Sequence, residues 1–310
     1  MLLLTGATGL VGSTLLRRLV ADGTQVRCLV RDPRRLGAQR VRVQIALGDL
    51  TDPPSFRNAL RGVHTVVHLA ASIRDQPRGS IEELNGIATW RMVEAAERSG
   101  VERFVFFSAL GASTHHRARF FRAKALAEQA VREAGVPSTT VFAPSIVYAP
   151  GDPWLTLLER LALVPAVMPV SGRGRAVYQP IWAEDVADCA MSVLRTGAGM
   201  DTGAGTGSPP DSQVSGHARY ELAGPETLSH ADLVRLVLRS LGRRRVLLPV
   251  PTPIVSRTLR LLEATMGSRA FATWDEAELM EVPMISSRGT ADAESLGVSP
   301  QRMPAVLGVA

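Results

Sequence analysis

Residues 2–16 read LLLTGATGLVGSTLL: a short apolar run, a turn with glycines at 6, 9 and 12, and then apolar residues at helical spacing. Each glycine of this G-x-x-G-x-x-G pattern has a task that a side chain would obstruct. The chain must turn sharply at the end of the strand, a pyrophosphate must come close to the backbone, and the helix must pack tightly on the strand. The start of the helix then offers unpaired N–H groups and the positive end of its dipole to the phosphates. A strand, a glycine turn and a helix in this order predict a dinucleotide cradle.

The rhythm continues for 150 residues. Strands are expected at 25–30 (QVRCLV), 41–50 (VRVQIALGDL), 64–71 (HTVVHLAA), 103–109 (RFVFFSA) and 138–144 (STTVFAP). Helices are expected at 12–23, at 54–62, within 80–100 and at 121–135, with Gly23, Gly100 and Gly135 closing three of them. Strands alternating with helices pair in parallel through crossovers, so the fold class is α/β with a doubly wound parallel (Rossmann) sheet over 1–150. After Pro144 the pattern changes, with prolines at 150, 153, 165, 169 and 180 and shorter segments. Residues 151–310 are therefore read as a smaller mixed α/β part for a substrate or partner. It holds a helix at 183–195, expected to pack back on the first domain, and a Gly/Ser/Thr-rich tract at 196–217, expected to be a mobile loop. A strand at 220–224 precedes a helix at 230–242 capped by Thr227 or Ser229, and an apolar helix at 254–266 reads as core or subunit contact.

The second strand ends at Val30, and the tip facing the adenosine ribose reads RDPRR (31–35). An NAD site wants an acid for the ribose 2′-hydroxyl, an NADP site an arginine for the 2′-phosphate. Arg31, with Arg34 or Arg35 behind it, can clamp a phosphate with two parallel hydrogen bonds. Asp32 could serve as the acid if the register slips. NADP is the expected cofactor, with NAD left open.

Composition narrows the partners. Hydrophobic residues make up 45% and charged residues 21%, which is ordinary for a globular chain. The net charge of +6 comes from dispersed arginines with few aromatics between them, so no nucleic-acid surface is expected. Cys28 and Cys189 form no disulfide framework, which suits a reduced, cytoplasmic setting. His64, His68, His217 and His230 show no ligand spacing, and no metal is expected. MLLL is too short for a signal peptide, and no run approaches the roughly 18–20 apolar residues of a membrane span.

Of 35 basic residues, 34 are arginine; Lys124 is the only lysine. Arginine replaces lysine freely on a surface, but not where a compact ammonium or a tunable base is needed. The surroundings of Lys124 carry a resemblance. TGATGLVG (5–12), GDL (48–50), HLAA (68–71), the stretch 83–112, RFFRAKALAEQAV (119–131) and APSIVYAPGD (143–152) together resemble an extended or atypical short-chain dehydrogenase/reductase. QPIWAEDVA (179–187) and YELAGPETLS (220–229) are similar to the branch containing the NAD(P)H-binding accessory subunit of respiratory complex I and its bacterial relatives.

That resemblance implies roles position by position. Gly6, Thr8, Gly9, Leu10, Val11 and Gly12 would cradle the pyrophosphate, and Arg31 and Arg34 would meet the ribose phosphate. Asp49 and Leu50 would bound the adenine; Leu69, Ala70 and Ala71 would line the path to the nicotinamide ribose, and Asn85 would steady the central helix. Lys124 would bind the nicotinamide ribose, with Ser108 at the nearby strand end, while Pro144, Ser145 and Ile146 would flank the nicotinamide ring. The family's tyrosine, four residues before the lysine, is absent, because position 120 is Phe120. The assisting serine or threonine is also absent, its place taken by Leu110. Carbonyl reduction leaves an alkoxide needing a proton, and a positioned acid is worth about 10²–10⁴-fold in rate. Tyr148, His115 and His116 are the alternative donors.

Two readings follow. One is an NADP(H)-binding regulatory or accessory protein, as a homodimer or within a larger complex, with the pocket kept and the usual chemistry altered or lost. The other is an oxidoreductase acting on a small apolar carbonyl or quinone-like substrate, walled by WLTLLERLALVPAVMPV (154–170), with a proton donor other than tyrosine. An epimerase or dehydratase would need the tyrosine still more directly.

Overall fold

β1 (Leu2–Thr5) is buried along its whole length, as a strand covered by helices on both sides of a sheet must be. The structure, a computed structural model, describes residues 1–163, 166–172, 174–198, 216–251, 257 and 278–309. α1 (Leu10–Ala21) crosses from β1 to β2 (Val26–Val30), and a 3₁₀ turn at Pro33–Val41 leads into β3 (Gln44–Leu47). β4 (Thr65–His68), β5 (Arg103–Phe107) and β6 (Ser138–Pro144) follow. Three short pairings lie outside the main sheet: β7 (Val147–Tyr148) with β10 (Ile181–Trp182), β8 (Val167–Ser171) with β13 (Val246–Val250), and β9 (Val177–Tyr178) with β12 (Leu228–Ser229). β11 (His217–Leu222) returns to pair in parallel with β6.

Among the described residues the central sheet has seven parallel strands in the order β11–β6–β5–β4–β1–β2–β3. The order reverses between β1 and β4, and a crevice opens at the carboxyl ends of strands on either side of such a switch. The doubly wound sheet and the added small sheets toward the C-terminus match the expected fold class.

Helices cover both faces. On one, Leu15, Leu16 and Leu19 of α1 pack with Ala187, Ala190 and Leu194 of α6 (Ala183–Ala198). On the other, Met92 and Ala96 of α3 (Ala88–Arg98) and Ala127 and Val131 of α4 (Arg119–Arg132) cover Leu3, Val66, Phe104 and Phe106; a short helical turn at Pro53–Phe56, labelled α2, adds Phe56. A third apolar cluster joins Leu110 and Phe121 to Leu155 and Leu158 of α5 (Pro153–Leu161), to Leu233 and Val237 of α7 (His230–Ser240), and to Val282 and Met284.

Several expected boundaries shift. The strand expected at 41–50 is paired only from Gln44 to Leu47, as a sheet edge with Val41 and Leu47 exposed. The helix expected at 54–62 divides into α2 and a 3₁₀ turn at Arg57–Leu60. A π-helical turn at Glu83–Ile87 precedes α3, and Ser229 rather than Thr227 caps α7 by accepting from the Asp232 amide. The tract expected as a loop at 196–217 begins as the end of α6 and ends at the start of β11, with 199–215 outside the described residues. The helix expected at 254–266 lies outside the described residues except for Arg257. No described helix is long and apolar enough to cross a membrane.

Candidate cofactor site

The glycine turn is built as its spacing predicts. Gly6 takes φ +74°, and a Cβ there would lie 2.6 Å from the Ala70 amide nitrogen, so β1 and β4 approach too closely for any side chain. At Gly12 a Cβ would lie 2.1 Å from the Gly6 carbonyl oxygen, which fixes α1 against the turn. The Gly9 amide donates to the Gly6 carbonyl at 2.9 Å. Gly9 is the N-cap of α1 and brings no capping side chain, and the first turn holds no acid. The N–H groups at Leu10, Val11 and Gly12 thus face an end of the helix with no anion of its own.

A cleft of about 660 Å³ opens at this turn, within the size range of small-molecule sites. Gly6, Thr8 and Gly9 form one wall, and Leu69, Ala70 and Ala71 form the facing one. Asp49 and Leu50 close one end beside Arg31, Asp32 and Arg35. Arg34 does not line the cleft. Its guanidinium turns onto Asp32, with Nε 2.9 Å from Oδ1 and Nη2 3.0 Å from Oδ2. The Asp32 carboxylate also accepts from the Arg34 amide at 3.0 Å, and these bonds hold its carboxyl below the usual range.

Asp49 accepts at Oδ1 from the amide and hydroxyl of Thr51, at 3.1 and 3.0 Å. Its buried Oδ2 has no hydrogen-bond partner and lies 3.6 Å from Arg78 Nη1. Burial pushes this carboxyl up, but the Thr51 bonds and the charges of Arg31 and Arg78 outweigh it and the net displacement is downward. A charged carboxylate, its Oδ2 beside Arg78, thus lies at this end of the cleft. Gln76, Ser72 and Leu84 complete the lining. Their loop is tied to α4 by Arg119, which bonds Glu82 at 2.6 and 2.8 Å and Asp75 at 3.0 Å.

The remaining candidates lie deeper and do not line the cleft. Lys124 on α4 is 3% exposed, and its Nζ donates to the Phe107 carbonyl at 2.7 Å. The ammonium sits 4.9 Å from the ring centroid of Phe106 and 5.8 Å from that of Phe120. Burial pulls its pKa down to about 7, against a smaller upward effect of Glu128 one turn further on. Ser108 follows the carbonyl that Lys124 binds, and its buried hydroxyl has no partner. Pro144 ends β6, where its carbonyl accepts from the Leu110 amide at 2.8 Å. The Ser145 hydroxyl donates to the Met284 carbonyl at 2.8 Å and receives the Gln179 amide at 3.3 Å, so it ties the 278–286 segment to the sheet. Ile146 packs into the third apolar cluster.

None of the alternative proton donors lines the cleft. Tyr148 is fully buried without a hydroxyl partner, and Tyr178 donates to the Met280 carbonyl; burial raises both phenols. The His116 ring packs on Phe121 at 4.8 Å and its Nδ1 accepts from the Ala118 amide; burial, then Arg117, lowers its pKa. His115 is exposed beside the Thr114 hydroxyl. Among the described residues no cluster of His, Cys, Asp and Glu is arranged to hold a metal ion.

This cleft at the strand switch point, with its glycine turn and the Asp49 carboxylate at one end, agrees with comparison to known proteins. A family model described as NAD(P)H-binding matches residues 6–161. The chain belongs to this family. Within it, the chain is an atypical short-chain dehydrogenase/reductase, of the branch that contains the complex I accessory subunit and bacterial relatives. It is 30% identical to sterol demethylase protein B of Methylococcus capsulatus, over 94% of this chain and 96% of that protein. It is 32% identical to ceramide reductase of Caulobacter vibrioides, over 62% of this chain and 60% of that protein. It is 28% identical to subunit 9 of the mitochondrial NADH dehydrogenase (ubiquinone) 1 alpha subcomplex of Arabidopsis thaliana, over 79% of this chain and 60% of that protein. The chain thus spans about three fifths of the length of two of these relatives and nearly all of the third. The NADPH-dependent quinone oxidoreductase of Escherichia coli, solved with NADPH, has the same fold, with a TM-score of 0.72, 16% identity and 99% coverage of both chains.

Three parts of this dehydrogenase/reductase site escape a local reading of sequence. Which arginine of 31–35 turns inward depends on the 3₁₀ turn and on the Asp32 carboxylate, and it is Arg35 that joins Arg31. Gln76 lines the cleft and Arg78 approaches Asp49 from a loop with no periodicity to announce it. His68 reads as one more strand residue, yet both its ring nitrogens are engaged.

Proposed function

We propose that this chain is an NADP(H)-binding protein that keeps the cofactor grip of its family and has lost the usual proton donor, serving as a regulatory or accessory protein whose state follows cofactor occupancy. The observation that carries the reading is the pairing of Phe120 with Lys124. The phenyl ring covers the ammonium at the place where the family has its tyrosine, and the three tyrosines of the chain lie elsewhere, at 148, 178 and 220. A cofactor present at 100 times its Kd would stabilise the fold by about 2.7 kcal/mol, enough to report on redox state or to lock an assembly.

NADP is favoured over NAD because Arg31 and Arg35 line the adenosine end while Asp32 is occupied by Arg34. In the bound state Gly6, Thr8, Gly9, Leu10, Val11 and Gly12 hold the pyrophosphate, Asp49 accepts from the adenine amino group, and Lys124 exchanges its carbonyl partner for the nicotinamide ribose. The likeness to a mitochondrial NADH dehydrogenase subunit supports an accessory role, with a homodimer or a larger complex as the assembly.

A second reading, an oxidoreductase for a small apolar carbonyl or quinone-like substrate, is favoured by the unpartnered Ser108 hydroxyl beside the Lys124 slot. The apolar side chains of Phe120, Phe121, Trp154 and Leu158 would suit such a substrate, as would the names of two relatives, a ceramide reductase and a sterol demethylase protein. Here residues 1–150 hold the cofactor and 151–310 the substrate. Incubating the NADPH-loaded protein with a panel of aldehydes, ketones and quinones separates the readings. The first expects no NADPH oxidation above background; steady turnover of any member contradicts it.

A further inference from the structure

Between the glycine turn and the facing wall of the cleft runs a buried chain of hydrogen bonds whose direction is fixed. The Thr89 hydroxyl donates to the Asn85 carbonyl at 2.6 Å, so toward His68 Nε2, 3.2 Å away, it can only accept. Nε2 therefore carries the proton. Complete burial, reinforced by the charge on Lys124, pulls the imidazole pKa down to about 3, so the ring is neutral and Nδ1 is an acceptor. The Thr5 hydroxyl, 2.8 Å from Nδ1, then donates to it and is left with a lone pair for the Ala70 amide at 3.4 Å. At the other end Asn85 grips Ser72 twice, accepting from its amide at 3.2 Å and donating to its carbonyl at 2.7 Å. Asn85 also donates to the Ile81 carbonyl at 2.7 Å.

The consequence is mechanical. The Leu69–Ser72 loop, one wall of the cleft, is pinned at Ala70 by Thr5 and at Ser72 by Asn85. Thr5 is the residue before Gly6. His68 and Thr89 are both fully buried and neither lines the cleft, yet they join the two pins. Building on the cofactor reading above, we propose that His68 is a positioning residue, which through Thr5 and Thr89 sets the gap between the glycine turn and the Leu69–Ser72 loop and so the fit of the nicotinamide half of the dinucleotide. The adenosine half, held by Arg31, Arg35 and Asp49, lies outside its influence.

Thr89→Val keeps the shape of the side chain and removes the acceptor for His68 Nε2 at a residue that does not line the cleft. The test is calorimetric binding of NADPH and of its fragment adenosine 2′,5′-bisphosphate to the full chain; if the parent prefers NADH, then NADH and AMP are used. Thr89→Val should weaken the dinucleotide by about tenfold, the scale of one buried donor left unpaired. The fragment should stay within about twofold, and Thr89→Ser should restore the parent value. Equal weakening of both ligands, or a lowered melting temperature with dinucleotide affinity unchanged, overturns the proposal. Thr5→Val, read in the same way and with Thr5→Ser as its rescue, decides the matter if Thr89→Val does not fold. Failure of the parent to bind either dinucleotide is a different result, which removes the cofactor reading itself.

Discussion

Lys124 and Phe120 lie one turn apart on α4, with the ammonium 5.8 Å from the phenyl centroid and bonded to a single backbone carbonyl, that of Phe107. The only lysine of the chain is thus stored in a slot of two aromatic rings, its ammonium donating to a backbone carbonyl and not to a carboxylate. Such a charge is costly to bury and is held for a purpose other than stability.

The first prediction concerns pH. The Lys124 pKa falls from 10.5 to about 7 on folding, chiefly by burial. Below pH 7 both folded and unfolded chains carry the proton and the burial penalty is complete. As pH rises from 7 toward 10.5 the folded state releases its proton first, and the penalty fades. Lys124→Met should therefore be more stable than the parent by roughly 3–5 kcal/mol near pH 6.5, with the gap closing by about pH 10. Denaturant titrations of the cofactor-free proteins across this range would measure it; a gap that does not change with pH contradicts the assignment.

Phe120→Tyr places a hydroxyl beside the same ammonium. A restored acid should raise NADPH-dependent reduction of simple carbonyls by about 10²-fold or more over the parent, since a positioned proton donor is worth about 10²–10⁴. The rate is read from NADPH absorbance with a fixed aldehyde. If Phe120→Tyr stays at background, more than the hydroxyl has been lost, Leu110 being the next position to restore.

The arginines at 31–35 should divide by direction. Arg35→Ala should weaken NADPH by about tenfold, the loss of one charge-assisted contact, and leave NADH unchanged. Arg34→Ala should leave NADPH within about threefold and strengthen NADH, because it frees the Asp32 carboxylate for a ribose hydroxyl. Titration of both variants with both dinucleotides checks this. Equal losses of NADPH from Arg34→Ala and Arg35→Ala would contradict the arrangement.

Gly12→Ala drives a methyl to 2.1 Å from the Gly6 carbonyl, whereas Gly9→Ala meets the same oxygen at 3.3 Å. The first should destabilise the fold by several kcal/mol, at the high end for a single substitution, and abolish dinucleotide binding. The second should cost about 1 kcal/mol or less of stability while still reducing affinity, because it crowds the phosphate path. Melting temperatures and cofactor titrations of the two would show the order.

What the sequence discloses is whatever local chemistry enforces. The triple glycine spacing can be read because a side chain at 6 or 12 cannot exist in that turn, and the alternating strands because β1, β4 and β5 carry the apolar runs Leu2–Leu4, Val66–Val67 and Phe104–Phe107. The sheet edge is less legible: VRVQIALGDL has the composition of a strand, yet only four residues pair, because a neighbour on one side alone leaves the rest unsupported. The partnership of β11 with β6 is a long-range fact that no local pattern carries.

The site divides in the same way. Gly6, Asp49 and Ala70 line the cleft, and each sits in a short motif at a strand end. The sequence leaves Arg34 and Arg35 open as the neighbour of Arg31; Arg35 lines the cleft, while Arg34 turns onto the carboxylate two residues before it. Ser145 matches the family pattern as a neighbour of the nicotinamide, but its hydroxyl is bound to the Met284 carbonyl of a segment 139 residues away. The His68 chain is hidden because direction in a hydrogen-bond network depends on every partner at once.

The central claim is that a nicotinamide dinucleotide lies in the cleft with its ribose on Lys124. Isothermal titration of the purified chain with NADPH and NADH in parallel tests it most directly. The account predicts saturable one-to-one binding, tighter for NADPH by about tenfold or more and weakened by a similar factor in Lys124→Met, as charge-assisted contacts require. No binding of either dinucleotide at millimolar concentration, or a Lys124→Met protein that binds like the parent, would contradict it.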